Sequence, residues 1–203
     1  ISGTYGPKCQ GKEVRDMMTE EHAVAGVNAG GFVDVGGVGT GGQPLGIVIK
    51  GGHLKAGSLE KTYEIIGFDK SNKLMVGNMS ASKALEIGIR DAVTFGPILV
   101  VNGKASEISG TGGGLNPRTA IGQRKDGAVL ILVIDGRQVS SLGANYRDLI
   151  NVMLEYGAVN AANLDGGMSS HMIYEGKIIT NPASLYGTRL IPMAILVKEN
   201  NDK

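Results

Sequence analysis

Apolar and polar positions alternate in short runs along most of this chain, and the spacing of a helix shows in only a few places. From about Lys12 to His22, Val14, Met17 and Met18 recur at helical spacing and predict a short helix. In ANYRDLINVMLEYG, the residues Tyr146, Leu149, Ile150, Met153 and Leu154 make one apolar stripe, with Gly157 placed to end the helix. Elsewhere the pattern predicts strands. AVAGVNAGGF reads as a buried strand running into a glycine turn at Asn28, and GIVIKGGHL as a strand with a Gly-Gly turn near Gly51. TYEIIGFDKSNKLMVG reads as a hairpin that turns between Asp69 and Asn72, and FGPILVVNGKA as a strand ending in a turn at Asn102. A loop then runs to Pro117, followed by a strand through Ile121. AVLILVIDG is apolar throughout, which predicts a central strand ending at Asp135. AVNAANLDGG, SSHMIYEGKIIT and LIPMAILVKE add further strands, with a turn at Glu175. The expected fold is α+β (mixed α/β): one domain over residues 1–203, with a large mixed β-sheet and few flanking helices.

Composition narrows the functions open to such a fold. At 203 residues, 42% hydrophobic and 19% charged, the chain is long enough for one sizeable core. Its 33 glycines follow no G-x-y period, so they signal tight turns and close backbone approaches rather than collagen. There is no Trp and there are three Phe, which argues against base-stacking surfaces and Trp-lined sugar platforms. A net charge of +1 with scattered Lys and Arg gives no basic stripe, so nucleic acid is not an expected partner. The single Cys9 excludes an internal disulfide and a Cys-rich metal site. No apolar run reaches the ~18 residues of a transmembrane helix. The chain begins at Ile1 without a methionine, which suggests a mature or trimmed product whose export signal is out of view.

Three segments share one grammar: an apolar run, a polar side chain at its end, then glycine. They are Asn28-Ala29-Gly30-Gly31, Asp135-Gly136-Arg137 and Asn163-Leu164-Asp165-Gly166-Gly167. Asn102-Gly103 shares it too, and reads as a plain turn. Polar residues on glycine turns at strand ends are where open sheets place ligand sites, and glycine lets a ligand approach the backbone. Asp135 and Asp165 end strongly apolar runs, so each carboxylate needs hydrogen bonds, a guanidinium or a metal to satisfy it. Arg118, Arg137 and Arg189 supply guanidinium groups suited to a phosphate or carboxylate ligand. His171 reads first as a strand histidine, with a general acid or a metal ligand as the alternative, and Ser169 and Ser170 lack the elbow motif of a serine nucleophile. GTGGG has no Walker ending and reads as a loop over a site.

Taken in order, VAGVNAGGF, PLGIVIKGG, NPRTAIG, LVIDGRQ, GAVNAANLDGGMSS and ITNPASLYGTRLIPMAILV resemble the phosphodiester glycosidase family from about Ala23 to Val197. The resemblance implies a mixed α/β domain, hydrolysis of a sugar-1-phosphodiester and an extracellular or cell-envelope setting. Its bacterial members imply an exopolysaccharide or other phosphate-containing glycan as substrate. Carried over by position, it points to Asn28, Arg118, Asp135, Arg137, Asn163, Asp165, Ser169 and Arg189. Two departures alter the pocket: Val33 stands where the family pattern has a second aromatic, and Met168 where a third glycine often follows the aspartate.

The chemistry accounts for these residue types. Cleaving a sugar C1–O bond develops positive charge on the sugar and negative charge on the leaving phosphate. Guanidinium groups stabilise the phosphate, and a carboxylate on the other face stabilises the cation, attacks it or activates water. The expected catalytic acids are Asp165 and, second, Asp135. The expected substrate contacts are Asn28, Gly30, Gly31, Arg118, Arg137, Asn163, Gly166, Gly167, Ser169 and Arg189. No cofactor is required by this reading. The alternatives are a metal-assisted phosphodiesterase with Asp135 and Asp165 as ligands for Ca²⁺ or Mg²⁺, a non-catalytic polysaccharide-binding module, and a structural envelope protein.

Overall fold

The computed structural model describes residues 1, 3–37, 39–184 and 187–199. Helix α1 (Val14–Glu21) leads directly into strand β1 (Ala23–Asn28). A long loop is followed by β2 (Val48–Lys50) and β3 (His53–Ala56), then by the hairpin β4 (Thr62–Asp69) and β5 (Leu74–Ser80). Helix α2 (Ala81–Glu86) and β6 (Ile89–Thr94) come next, then β7 (Ile98–Val101) and β8 (Lys104–Ala105). The second half holds β9 (Arg118–Arg124), β10 (Val129–Ile134), α3 (Tyr146–Glu155), β11 (Ala158–Asn163), β12 (Met172–Tyr174), β13 (Lys177–Ile178) and β14 (Ala194–Lys198).

The helices are few, as expected, but the single large mixed sheet is not what forms. The strands make three sheets, ordered β13-β12-β1-β14, β10-β9-β11-β7-β8 and β3-β2-β6-β4-β5, and the protein is β-rich. Every pairing is antiparallel. Connection length accounts for the pairs joined by short turns, β2–β3, β4–β5, β7–β8, β9–β10 and β12–β13, because parallel neighbours need a crossover of a dozen or more residues. The long helical link α3 crosses over β9, so β10 and β11 both pair with β9 rather than with each other.

The two helices read from the sequence form. Asn145 caps α3, its side chain accepting from the Arg147 and Asp148 amides while Asp148 accepts from the Asn145 amide. Leu149, Ile150 and Met153 bury its stripe against Leu99, Val100, Ala120 and Ala161. Gly157 ends it in the left-handed region, at φ 79°. Residues 81–94, which carry no reading from the sequence, form α2 and β6. The α2 helix has only 6 residues, too few for its apolar spacing to register.

One strand departs from expectation in a way that matters. The continuous apolar run 129–134 is an edge strand, β10, rather than a central one. Its apolarity on both faces has two causes. Leu130, Leu132 and Ile134 pack on the α3 core, while Val129 and Ile131 face an apolar groove shared with Ile195 and Val197.

Candidate functional site

Three strand ends meet: the end of β1 at Asn28, the start of β9 at Arg118 and the end of β11 at Asn163. Asn28 ties them together. Its amide nitrogen donates to the Asp165 carbonyl at 2.6 Å, and its amide oxygen accepts from the Thr119 hydroxyl at 2.8 Å and the His171 backbone N–H at 3.3 Å. The NLDGG segment is stitched between two sheets by backbone bonds: Asp165 N–H to Ala29 carbonyl at 2.9 Å, Leu164 N–H to Thr119 carbonyl at 2.8 Å and Gly167 N–H to Pro117 carbonyl at 2.9 Å. Gly166 has to be glycine, because a β-carbon there would stand 2.9 Å from the Pro117 carbonyl oxygen. A single 3₁₀ turn, Gly167–Ser169, follows.

This strapping holds the Asp165 carboxyl at the base of a hollow of about 240 Å³, lined by Phe32, Asp34, Arg137, Asp165 to Ser169 and Arg189. Burial pushes the Asp165 carboxyl up to about 6, against the pull of hydrogen bonds from the Ser169 hydroxyl and the Gly166 amide, and against the positive charge of Arg189. The Asp34 charge adds to the rise. Asp34 itself goes the other way. Hydrogen bonds from Arg189 hold its carboxyl below the usual range, with the Gly39 amide, at 2.7 Å, adding to the effect. The Arg189–Asp34 contact is two-pronged, Nη1 to Oδ2 and Nη2 to Oδ1 at 2.9 Å, and the guanidinium lies 5.1 Å from the centre of the Phe32 ring.

Arg137 completes the charged lining. Its Nη2 donates to the Asn116 amide oxygen at 2.8 Å, and among the described residues it has no carboxylate partner. Its backbone is left-handed at φ 58°, and its guanidinium lies 3.5 Å from where a β-carbon on Gly167 would stand. Paired Arg189 and unpaired Arg137 therefore share one space with an acid that carries its proton well above the ordinary carboxyl range.

Of the residues expected from sequence to form the site, Asp165, Arg137, Arg189, Ser169, Gly166 and Gly167 line the hollow; the others take different places. The Asp135 carboxylate accepts the Asn181 backbone N–H at 2.9 Å and does not line the hollow, so it shares no ligand space there with Asp165. Arg118 is buried and donates to the carbonyls of Ala144 at 3.0 Å, Gly113 at 2.8 Å and Gly114 at 3.0 Å, lying 4.2 Å from the centre of the Tyr146 ring. It clamps the GTGGG segment, which is thus pinned to the body rather than laid over the hollow. Asn163 donates to the Gly96 carbonyl at 2.7 Å. Asn28 acts through the backbone, as described. Gly30 and Gly31 make room for neighbours: added β-carbons would stand 2.9 Å from the Thr94 carbonyl oxygen and 2.8 Å from the Phe95 ring. His171 is buried, with Nδ1 2.8 Å from the Ser169 carbonyl, and burial pushes its pKa down. Leu185 and Tyr186, within the segment leading to Arg189, lie outside the described residues.

Asp34 and Phe32 carried no role in the sequence reading, although both sit at the end of GVNAGGFVD. The available signal was an acid six residues beyond Asn28, on the same glycine turn. A larger groove of about 700 Å³ lies elsewhere, with mostly apolar walls. Its rim charges are spent on one another, Lys50 and Lys198 on Glu21 and Arg90 on Asp91. The smaller hollow is therefore where free acid and guanidinium chemistry converges. Among the described residues no three His, Cys, Asp or Glu side chains gather as a metal cluster, and no helix is long and apolar enough to cross a membrane.

A β-rich scaffold that gathers an acid and two guanidinium groups in one hollow at converging strand ends fits chemistry on a phosphate-bearing substrate. The sequence comparison gives the family: the phosphodiester glycosidase model matches residues 21–198, and the chain belongs to that family. It is 33% identical to the prophage-derived protein YomE of Bacillus subtilis over 183 residues, covering 83% of this chain and 27% of that one. It is 28% identical to the N-acetylglucosamine-1-phosphodiester alpha-N-acetylglucosaminidase of Bos taurus over 162 residues, covering 70% of this chain and 30% of the bovine one. The chain thus spans under a third of these relatives' length. Among solved structures, the catalytic domain of the zebrafish N-acetylglucosamine-1-phosphodiester alpha-N-acetylglucosaminidase, auto-inhibited by its pro-peptide, superposes with a TM-score of 0.77 at 21% identity, covering 94% of this chain and 68% of that one. A protein from Synechocystis superposes with a TM-score of 0.67 at 14% identity, covering 89% of this chain and 52% of that one.

Proposed function

We propose that this chain hydrolyses the glycosidic bond of a sugar-1-phosphodiester. The observation that carries the proposal is the Asp165 carboxyl, raised to about 6, sharing one hollow with Arg137 and Arg189. A base with that value is deprotonated at neutral pH and still basic enough to take a proton, which suits general-base work. Arg137, free of any carboxylate partner among the described residues, donates to the phosphate oxygens, and the N–H groups of Arg189 not used by Asp34 add to that grip.

Asp165 takes a proton from a water that attacks C1. The C1–O bond breaks, its electron pair leaves on the phosphate oxygen, and the products are a free sugar and a phosphate monoester. The leaving group spreads its charge over several oxygens, so arginine contacts that tighten as the charge grows stand in for a strong general acid. Ser169, donating to Asp165, fixes the direction of the carboxylate.

The substrate class of this proposal is a phosphate-containing glycan of the envelope or the extracellular space. Membership of the phosphodiester glycosidase family supports the sugar-phosphate part of that class. The test is incubation with a panel of sugar-1-phosphodiesters and a phosphodiester-linked polymer in ¹⁸O-water, followed by phosphorus NMR and mass spectrometry. Label in the sugar hydroxyl and none in the phosphate is the expected result. Label in the phosphate would mean P–O cleavage and would overturn the proposal.

A further inference from the structure

Two carboxylates share the hollow, and Arg189 lies between their influences. It is hydrogen-bonded to Asp34 through both Nη atoms, while its charge also acts on Asp165. We propose that Asp34 is a positioning residue: by holding Arg189 in a two-pronged pair, it keeps that guanidinium off Asp165 and leaves Asp165 free to accept a proton from water. The kinetic consequence rests on the hydrolytic role given to Asp165 above; the pairing itself does not.

The geometry supplies the argument. Arg189 is fixed on the Asp34 side by three contacts: the two carboxylate bonds and a bond from Nη2 to the Gly39 carbonyl at 3.4 Å. The Gly39 amide in turn donates to Asp34 at 2.7 Å, so Gly39 is bonded to both members of the pair. The guanidinium also lies 5.1 Å from the centre of the Phe32 ring. The side chain is largely buried, at 11% exposure, so water does little to screen its charge. A mobile arginine here would find two acids and favour whichever it could pair with fully. Gly39, bonded to both, gives that place to Asp34.

The other groups around Asp165 do not compete for this task. Arg137 lines the same hollow, but its Nη2 is committed to the Asn116 amide oxygen at 2.8 Å. The Arg118 guanidinium is committed to backbone carbonyls. Ser169 and the Gly166 amide donate to Asp165 as neutral partners, and His171 is buried, with a pKa pushed down by that burial.

The experiment is a titration of the Asp165 carboxyl carbon by ¹³C NMR, the resonance assigned by its loss in Asp165→Asn. Asp34→Asn should lower the Asp165 midpoint by about one pH unit or more, since the Asp34 charge that raises it is lost and Arg189 then turns to the remaining acid. Arg189→Gln should move it the opposite way, because an attractive charge is removed and Asp34 is left unpaired. Asp34→Glu, which keeps the carboxylate, should stay close to the parent. If Asp34→Asn fails to fold by circular dichroism, Asp34→Ser, which likewise cannot hold the two-pronged pair, takes its place with the same expected direction. An unmoved midpoint in Asp34→Asn, or a lowered one in Arg189→Gln, would overturn the proposal. In hydrolysis assays the acid limb of the Asp34→Asn rate profile should follow the NMR shift, which a merely structural role would not produce. Midpoints that move as stated in a parent that hydrolyses no phosphodiester would sink the catalytic reading and leave the pairing standing.

Discussion

Asp165→Asn separates the energetic cost of the site from its chemistry. The Asp165 carboxyl is raised from an ordinary 3.8 to about 6, mainly by burial. That rise of about two pH units, at ~1.4 kcal/mol each, makes an ionised Asp165 cost the folded state up to about 3 kcal/mol. One face of the side chain opens to the hollow, so the figure is an upper value. The sign follows from the direction of the shift. Below the ordinary carboxyl value the acid is protonated in both folded and unfolded chains and costs nothing. The cost grows as pH rises from there and is complete above about 6. Asn is nearly isosteric, never ionises, and its side-chain oxygen still accepts from the Gly166 amide. Asp165→Asn should therefore stabilise the protein at pH 7.5, by roughly 1–3 kcal/mol, and by almost nothing at pH 3.5. With a urea slope of about 2 kcal/mol per molar, the midpoint should rise by roughly 0.5–1.5 M at pH 7.5 only. On the proposed mechanism turnover should nearly vanish at the same time, because the base is gone. A midpoint change that is the same at both pH values would show that the buried charge is not the cause, and a loss of stability at pH 7.5 would refute the reasoning outright.

Three other perturbations test neighbouring parts. Arg137→Gln removes a guanidinium that has no carboxylate partner among the described residues, so KM for a phosphodiester should rise about 10–100-fold with folding stability unchanged in urea. Asp135→Asn keeps an acceptor for the Asn181 amide, so its turnover in the same assay should stay within a few-fold of the parent. Asn28→Ala removes the partner of the Asp165 carbonyl, the Thr119 hydroxyl and the His171 amide together, and should destabilise by about 3 kcal/mol or more in urea unfolding.

Much of this molecule is legible in its sequence because it depends on local chemistry. The α3 stripe and its Gly157 stop, and the hairpin turns at Asn102-Gly103 and Glu175-Gly176, follow from periods and left-handed backbone positions only a few residues apart. The NLDGG segment was likewise marked by an acid that ends an apolar run, where burial without a partner is costly. What tertiary structure decided is which polar groups meet. Arg118 and Asp135 carry the same residue-level signal as Arg189 and Asp165, yet backbone carbonyls and the Asn181 amide engage them first. Asp34 belongs to the site only because Arg189, 155 positions away, lies against it. The same holds for β10, whose apolar run looks like a central strand until its second face is found lining a groove at a sheet edge. Periodicity reports what a segment can bury; the choice among competing long-range partners is made only when the sheets come together.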